Sequence, residues 1–213
     1  MRKRKIPIIK GFLEKYLGEF EEDKYEIRLS YLEVKNAVLK KETGIRLIFD
    51  TMIFRNLQMK EGKFERSEFV DCIFYNCDIT NSYFESSTFI RCEFYDSKLD
   101  GAHFIDCYLE DVLFSNVLAK FLDLSECKIK IFEINNSTID ESSWFTNKIS
   151  NLSLESSNLQ KSDFYQSKLN KVDLSTCNIE GMKIDLEGIK GSTISKDQAI
   201  LLCNLIGVNV KET

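Results

Sequence analysis

An apolar residue returns at every fifth position along most of this chain. Between Phe64 and Phe104 the series reads Phe64, Phe69, Phe74, Ile79, Phe84, Phe89, Phe94, Leu99 and Phe104. It runs on in phase through Phe114, Ala119, Trp144 and Phe164 to Ile194, and back through Met59 and Phe54 to Phe49, with no insertion or deletion. A period of five matches neither the 3.6 of a helix nor the 2.0 of a strand, so the unit is a repeat. The residue two before each of these centres forms a second series of small residues: Cys72, Cys77, Ser82, Ser87, Cys92, Ser97, Ala102 and Cys107. Two inward positions per unit leave three outward ones, and those are mostly Asp, Glu, Lys, Ser, Asn and Tyr, as a solvated surface requires.

The pattern resembles the pentapeptide-repeat family, whose consensus is A(D/N)LXX. The resemblance implies an all-β solenoid, a right-handed quadrilateral β-helix in which each unit is one side and four sides make a coil of twenty residues. Sorting the centres at intervals of twenty agrees with this. Met59, Ile79, Leu99, Ala119, Ile139, Leu159 and Ile179 form one column without a phenylalanine, whereas Phe54, Phe74, Phe94 and Phe114 form another, and Phe64, Phe84, Phe104, Leu124, Trp144 and Phe164 a third. Like residues stack on like at the coil period, as ladders in stacked strands prefer. The expected core centres are therefore Phe64, Phe69, Phe74, Phe84, Phe89, Phe94, Phe104, Phe114 and Phe164. Val112, Val117, Leu122 and Phe132 are larger than the consensus allows while the centre Ala119 is small, which reads as one compensated packing belt.

The ends differ from the repeat. Residues 1–24 read as a basic tail and a capping helix, because Ile9, Phe12, Leu13, Tyr16, Leu17 and Phe20 follow helical spacing and a solenoid end needs a cover. Residues 25–194 are the β-helix, regular from about residue 47. Residues 195–213 form a helix and a short extended piece. Ser195 and Gln198 make a capping-box pattern, and Gly207 is the stop. Leu201, Leu202, Leu205 and Ile206 fall within two turns and cannot all face the last coil, so these residues, with Val208 and Val210, are expected to form a homodimer seam.

The series Ile184, Gly188 and Ile189, followed by Gln198, Ala199, Leu201, Leu202, Leu205, Ile206, Gly207, Val208 and Val210, resembles the terminal module of Qnr-type quinolone-resistance proteins. That resemblance implies end-to-end pairing into a rod that imitates DNA and binds type II topoisomerases, DNA gyrase or topoisomerase IV. The unbroken phase leaves no interrupting loops, which places the chain nearer the loopless branch of that family.

Charge qualifies this picture. The net charge is −5 and the pI about 5.2, against direct nucleic-acid binding. Around centres 54 to 174 five acids stand against one base, and around 64 to 184 seven against three. These two sides supply the candidate DNA-mimic surface: Glu93, Asp96, Glu133, Glu155 and Asp173 on one, Glu85, Asp106, Asp123, Glu126 and Asp163 on the other. A rod of roughly 35 Å would carry about one net charge per 4 Å, sparser than duplex DNA at one per ~1.7 Å. Hence the alternative expectation is a scaffold binding another protein partner. Seven cysteines, six of them in the inward register, point to reduced core thiols and a cytoplasmic protein. No membrane segment, signal peptide, metal-ligand spacing or phosphate loop appears, and the single histidine, His103, has no nucleophile set beside it, so neither enzyme nor cofactor is expected.

Overall fold

The computed structural model describes residues 3–9, 13–15, 25–39, 45–205 and 207–211. Its strands are β1 (Glu14–Lys15), β2 (Glu26–Lys35), β3 (Arg46–Arg55), β4 (Glu68–Tyr75), β5 (Thr88–Ile90), β6 (Glu93–Tyr95), β7 (Tyr108–Ser115), β8 (Lys128–Asn135), β9 (Lys148–Ile149) and β10 (Leu152–Glu155), followed by helices α1 (Leu186–Ile189) and α2 (Lys196–Leu205). Every pairing is parallel. From β2 onward partners stand twenty residues apart, as in Glu26↔Arg46, Ile48↔Glu68, Glu68↔Thr88 and Tyr108↔Lys128. Single bridges carry the same offset from Val38↔Gln58 to Asp173↔Thr193. The fold is a parallel β-solenoid, the four-sided right-handed pentapeptide helix.

The corners follow from backbone sterics. The last residue of most units is left-handed: Asn76 at φ 51°, Asn81 at 54°, Asp96 at 50°, Gly101 at 63°. An L-residue loses about 1–2 kcal/mol in that conformation, least for Asn, Asp and Gly, which explains their frequency there. Corner N–H groups bond to the next coil, as in Asn76 N to Tyr95 O at 3.0 Å and Ser86 N to Ile105 O at 2.9 Å. The run is interrupted at Ile131, Asn151 and Thr176, and opposite Ile131 the β7–β8 ladder also slips between Leu109, Glu110 and Val112.

Inside, the centres stack. Phe54–Phe74 and Phe74–Phe94 ring centroids are 4.7 and 4.4 Å apart, Phe69–Phe89 4.6 Å, Phe84–Phe104 4.8 Å and Trp144–Phe164 5.0 Å. Phe64, Phe69, Phe74, Phe84, Phe89, Phe94, Phe104, Phe114 and Phe164 are all fully buried. The second inward series has a hydrogen-bonding task that explains its Ser and Cys. The thiols of Cys92, Cys107 and Cys127 donate to the carbonyls of Phe69, Phe84 and Phe104 at 3.2, 2.9 and 2.7 Å, and Ser87 and Ser162 do the same for Phe64 and Ile139. All seven cysteines are free. Val112, Val117, Ala119, Leu122 and Phe132 are buried together, and Phe132 packs edge-on against Phe114 at 4.8 Å.

The N-terminal helix expected over 8–20 is not what the described residues form. Residues 3–9 form neither helix nor strand, and Glu14–Lys15 is a strand that pairs in parallel with Leu32 and Glu33. Residues 10–12 and 16–20 lie outside the described residues. The open edge of β2 presents unpaired N–H and C=O groups, which a strand satisfies and a helix does not. The repeat itself begins earlier than about residue 47: β2 is already in register with β3 from Glu26. The KKETG turn lies outside the described residues.

At the other end α1 replaces a corner. Asp185 caps it, accepting from Gly188 N at 2.7 Å and from Gln166 N at 3.0 Å, and these two N–H groups hold the Asp185 carboxyl below its usual pKa. Gly188 is required there, since a Cβ would stand 2.7 Å from the Ser167 carbonyl oxygen. α2 opens on the capping box in both directions: Gln198 N to Ser195 Oγ at 3.2 Å, Ser195 N to Gln198 Oε1 at 2.8 Å. The buried Gln198 amide then donates to the carbonyls of Leu174 and Cys177, both at 2.7 Å, fixing the helix over the last coil. Gly207 at φ 73° and the Val208 N to Cys203 O bond close it as a Schellman motif.

Candidate functional site

Outward residues on a solenoid repeat at the coil period, so one side chain type per column makes a continuous stripe. The side that carries Phe84, Phe104, Leu124, Trp144 and Phe164 presents Glu85, Asp106, Asp123, Glu126 and Asp163 between Ser82 and Gln166, with no Lys or Arg among them. Glu85, Asp106 and Glu126 are exposed, while Asp123 and Asp163 are half-buried. The half-buried pair fold back on their own turns: Asp123 accepts from Ser125 N at 3.0 Å and Asp163 from Tyr165 N at 2.9 Å. An acid or amide just before the centre is therefore a turn-former as well as a surface charge. His103 sits in the same stripe, stacked on Tyr83 at 4.6 Å.

The neighbouring acidic side is divided. Asp96, Glu155 and Asp173 are exposed, and Ser175 holds the Asp173 carboxyl below its ordinary pKa through hydrogen bonds from its side chain and N–H. Glu93 and Glu133 are not free surface acids. Arg4 Nη1 lies 2.8 Å from Glu93 Oε1 and Arg4 Nε 3.0 Å from Glu133 Oε2. Glu93 is 6% exposed, and its second oxygen accepts from the Tyr95 hydroxyl at 3.0 Å. Burial alone would lower the pKa of Arg4, but its bonds to the two carboxylates outweigh that and raise it.

These contacts belong to a strap. Residues 3–9 run along the outside of the rod, with Lys5 N donating to Asp111 Oδ1 at 3.0 Å and Ile8 N to Asp71 Oδ1 at 2.8 Å. Three extended residues span about 10 Å, the rise of two coils at ~4.8 Å each, which is the separation of Asp111 from Asp71. Pro7, the one proline of the chain, is buried against the rod, whereas Ile6 and Ile8 point outward. Beneath and beside the strap, Leu113 and Ile131 occupy outward positions yet are only 6% and 4% exposed. The sequence carried a signal for this groove: the outward column Ile53, Ile73, Glu93, Leu113, Glu133 has three apolar members where a solvated surface should be polar.

The C-terminal end is the other unusual surface. Ile200, Leu201, Val208 and Val210 are exposed, Leu202 is half-buried, and Leu186 on α1 is 66% exposed. Of the remaining seam residues, the side chain of Leu205 and all of Ile206 lie outside the described residues. Ile184, Leu186, Ile189, Ile194, Ala199 and Leu202 line a groove of about 440 Å³ there. Among the described residues no group of three metal-ligating side chains occurs, and no helix is long and apolar enough to cross a membrane.

The family model for the pentapeptide repeat region matches residues 67–144. None of the curated proteins matches this sequence. Among solved structures, a trypsin-treated form of QnrB1, a plasmid-mediated fluoroquinolone resistance protein, aligns at a TM-score of 0.42 with 16% identity, over 91% of this chain and 96% of that one. HetL, a pentapeptide repeat protein involved in heterocyst differentiation regulation in the cyanobacterium Nostoc, aligns at 0.33 with 13% identity, over 81% and 92%. Rfr23 from the cyanobacterium Cyanothece aligns at 0.19 with 11% identity, over 82% and 94%. With the five-residue phase, the offset-of-twenty ladders and the repeat-region match in agreement, residues 67–144 are a pentapeptide repeat region within a parallel β-solenoid.

Proposed function

We propose that this protein imitates DNA to bind a type II topoisomerase, DNA gyrase or topoisomerase IV, and so alters supercoiling and fluoroquinolone sensitivity. The observation that carries the reading is the acidic stripe of Glu85, Asp106, Asp123, Glu126 and Asp163, which skips the coil at Trp144 and is free of Lys and Arg from Ser82 to Gln166. Carboxylates spaced along a stiff rod offer a basic DNA-binding saddle the charge it is built to meet. The reading joins this to a homodimer through Leu201, Leu202, Leu205, Ile206, Val208 and Val210, which doubles the length of the stripe. The interaction involves no chemical step, and the protein acts by occupying a surface. A supercoiling assay with purified gyrase, with and without a fluoroquinolone, tests it.

The second reading is a scaffold that binds a different protein. Arg4 favours it, because pairing with Glu93 and Glu133 removes two of the ten acids from the DNA-like surface.

A further inference from the structure

The strap leaves a groove whose shape and charge describe its occupant. We infer that the face formed by Asp71, Glu93, Asp111, Leu113, Ile131 and Glu133 is a binding site for an extended basic–apolar peptide segment of a protein partner, and that residues 3–9 are its removable resident.

Three features support this. The carboxylates read an extended backbone as well as a charge: Asp111 and Asp71 accept from the N–H groups of Lys5 and Ile8, while Glu93 and Glu133 grip one guanidinium from two sides. The Tyr95 hydroxyl orients Glu93, so the grip is prepared by the rod. Leu113 and Ile131 lie covered among these acids, as apolar side chains on a bare outward surface would not. The segment that fits therefore has an arginine followed three residues later by an apolar residue of fixed φ such as proline. Pro7 holds the backbone extended and restricts Ile6 to the same region, lowering the entropy lost on docking.

The resident is built to leave. Residues 3–9 pair with no strand, so their departure breaks no sheet ladder. Held on the same chain, they occupy the groove at an effective concentration on the order of millimolar, which excludes weak outside peptides until the strap is displaced. This assignment concerns a different surface from the Glu85–Asp163 stripe and stands or falls without it.

The test uses the full chain and a fluorescent synthetic peptide of its own residues 2–9. In anisotropy titrations the wild type should bind the peptide at least tenfold more weakly than an Arg4→Glu/Pro7→Ser variant, whose strap is released. Adding Glu93→Gln/Glu133→Gln to that variant should cost at least tenfold in peptide affinity. Hydrogen exchange on the wild type provides a readout without mutation: the Lys5 and Ile8 amides should exchange at least tenfold more slowly than in the free peptide. Equal peptide binding by wild type and released variant, binding indifferent to the glutamates, or unprotected Lys5 and Ile8 amides would each overturn the proposal. A wild-type dimer that becomes monomeric in Arg4→Glu/Pro7→Ser would also overturn it, giving the groove to the tail of a second copy.

Discussion

Arg4 and Glu93, eighty-nine residues apart in sequence, are joined by a 2.8 Å hydrogen-bonded ion pair in which each side chain is less than a tenth exposed. An ion pair this enclosed costs desolvation on both partners, and removing one leaves the other charge stranded. Here the strap can lift and let water reach Glu93, which caps the penalty. Arg4→Ala should therefore lower stability by only about 1 kcal/mol in urea titrations, below the 3–5 kcal/mol of a stranded core charge. A loss as large as that of a core truncation would show that the strap is integral to the fold.

The core should behave differently. Phe84 sits between Phe64 at 5.3 Å and Phe104 at 4.8 Å and cannot be rehydrated without opening the coil. Phe84→Ala should cost about 3–5 kcal/mol. The hydroxyl of Ser86, two residues on, donates an exposed bond to Asp106 at 2.9 Å, and Ser86→Ala should cost under about 0.5 kcal/mol. Denaturant melts of the two variants check the inward and outward assignment, and equal losses would contradict it.

The buried thiols set a pH dependence. Burial pushes the Cys77 thiol from 9.0 up to about 11. The folded pKa exceeds the unfolded one, so the native state holds this proton more tightly. Its stabilisation is complete below pH 9.0 and disappears as the pH rises through about 11. The urea midpoint should fall across that window, and Cys77→Ser should flatten the fall with little loss at neutral pH, since Ser87 and Ser97 already fill equivalent positions.

The C-terminal seam has its own test. Leu201 is 38% exposed, and Val208 and Val210 are more open still. Burying a leucine on each side is worth roughly 1.5–3 kcal/mol per residue, and Leu201→Asp/Leu205→Asp would put four charges in the seam. Sedimentation should find a wild-type dimer and a folded monomeric variant. A wild-type monomer would refute the dimer.

What was legible in the sequence was whatever the repeat imposes locally. Phe64 and Phe84 announce their stacking because nothing between them breaks the phase, and Ser195 announces its cap because Gln198 is three residues away. The strap was not legible, because the partners of Arg4 lie 89 and 129 residues away and only the folded rod brings them to one face. The spacing of Ile9, Phe12, Leu13, Tyr16 and Leu17 imitates an amphipathic helix, yet Glu14–Lys15 adds to the edge of β2 instead. Pairing an open edge outweighs helical periodicity in so short a segment. The same blindness counted Glu93 as a surface acid, since the sign of a charge is visible in a sequence but its cover is not.

The measurement closest to the central claim is supercoiling by purified gyrase in the presence of this protein and of its Glu85→Lys/Asp106→Lys/Glu126→Lys variant, with and without a fluoroquinolone. The account predicts that the folded wild type alters supercoiling or drug-stabilised cleavage at micromolar concentration and that the charge-reversed variant does neither. A wild type without effect on gyrase or topoisomerase IV, or a reversed variant as active as the wild type, would contradict it.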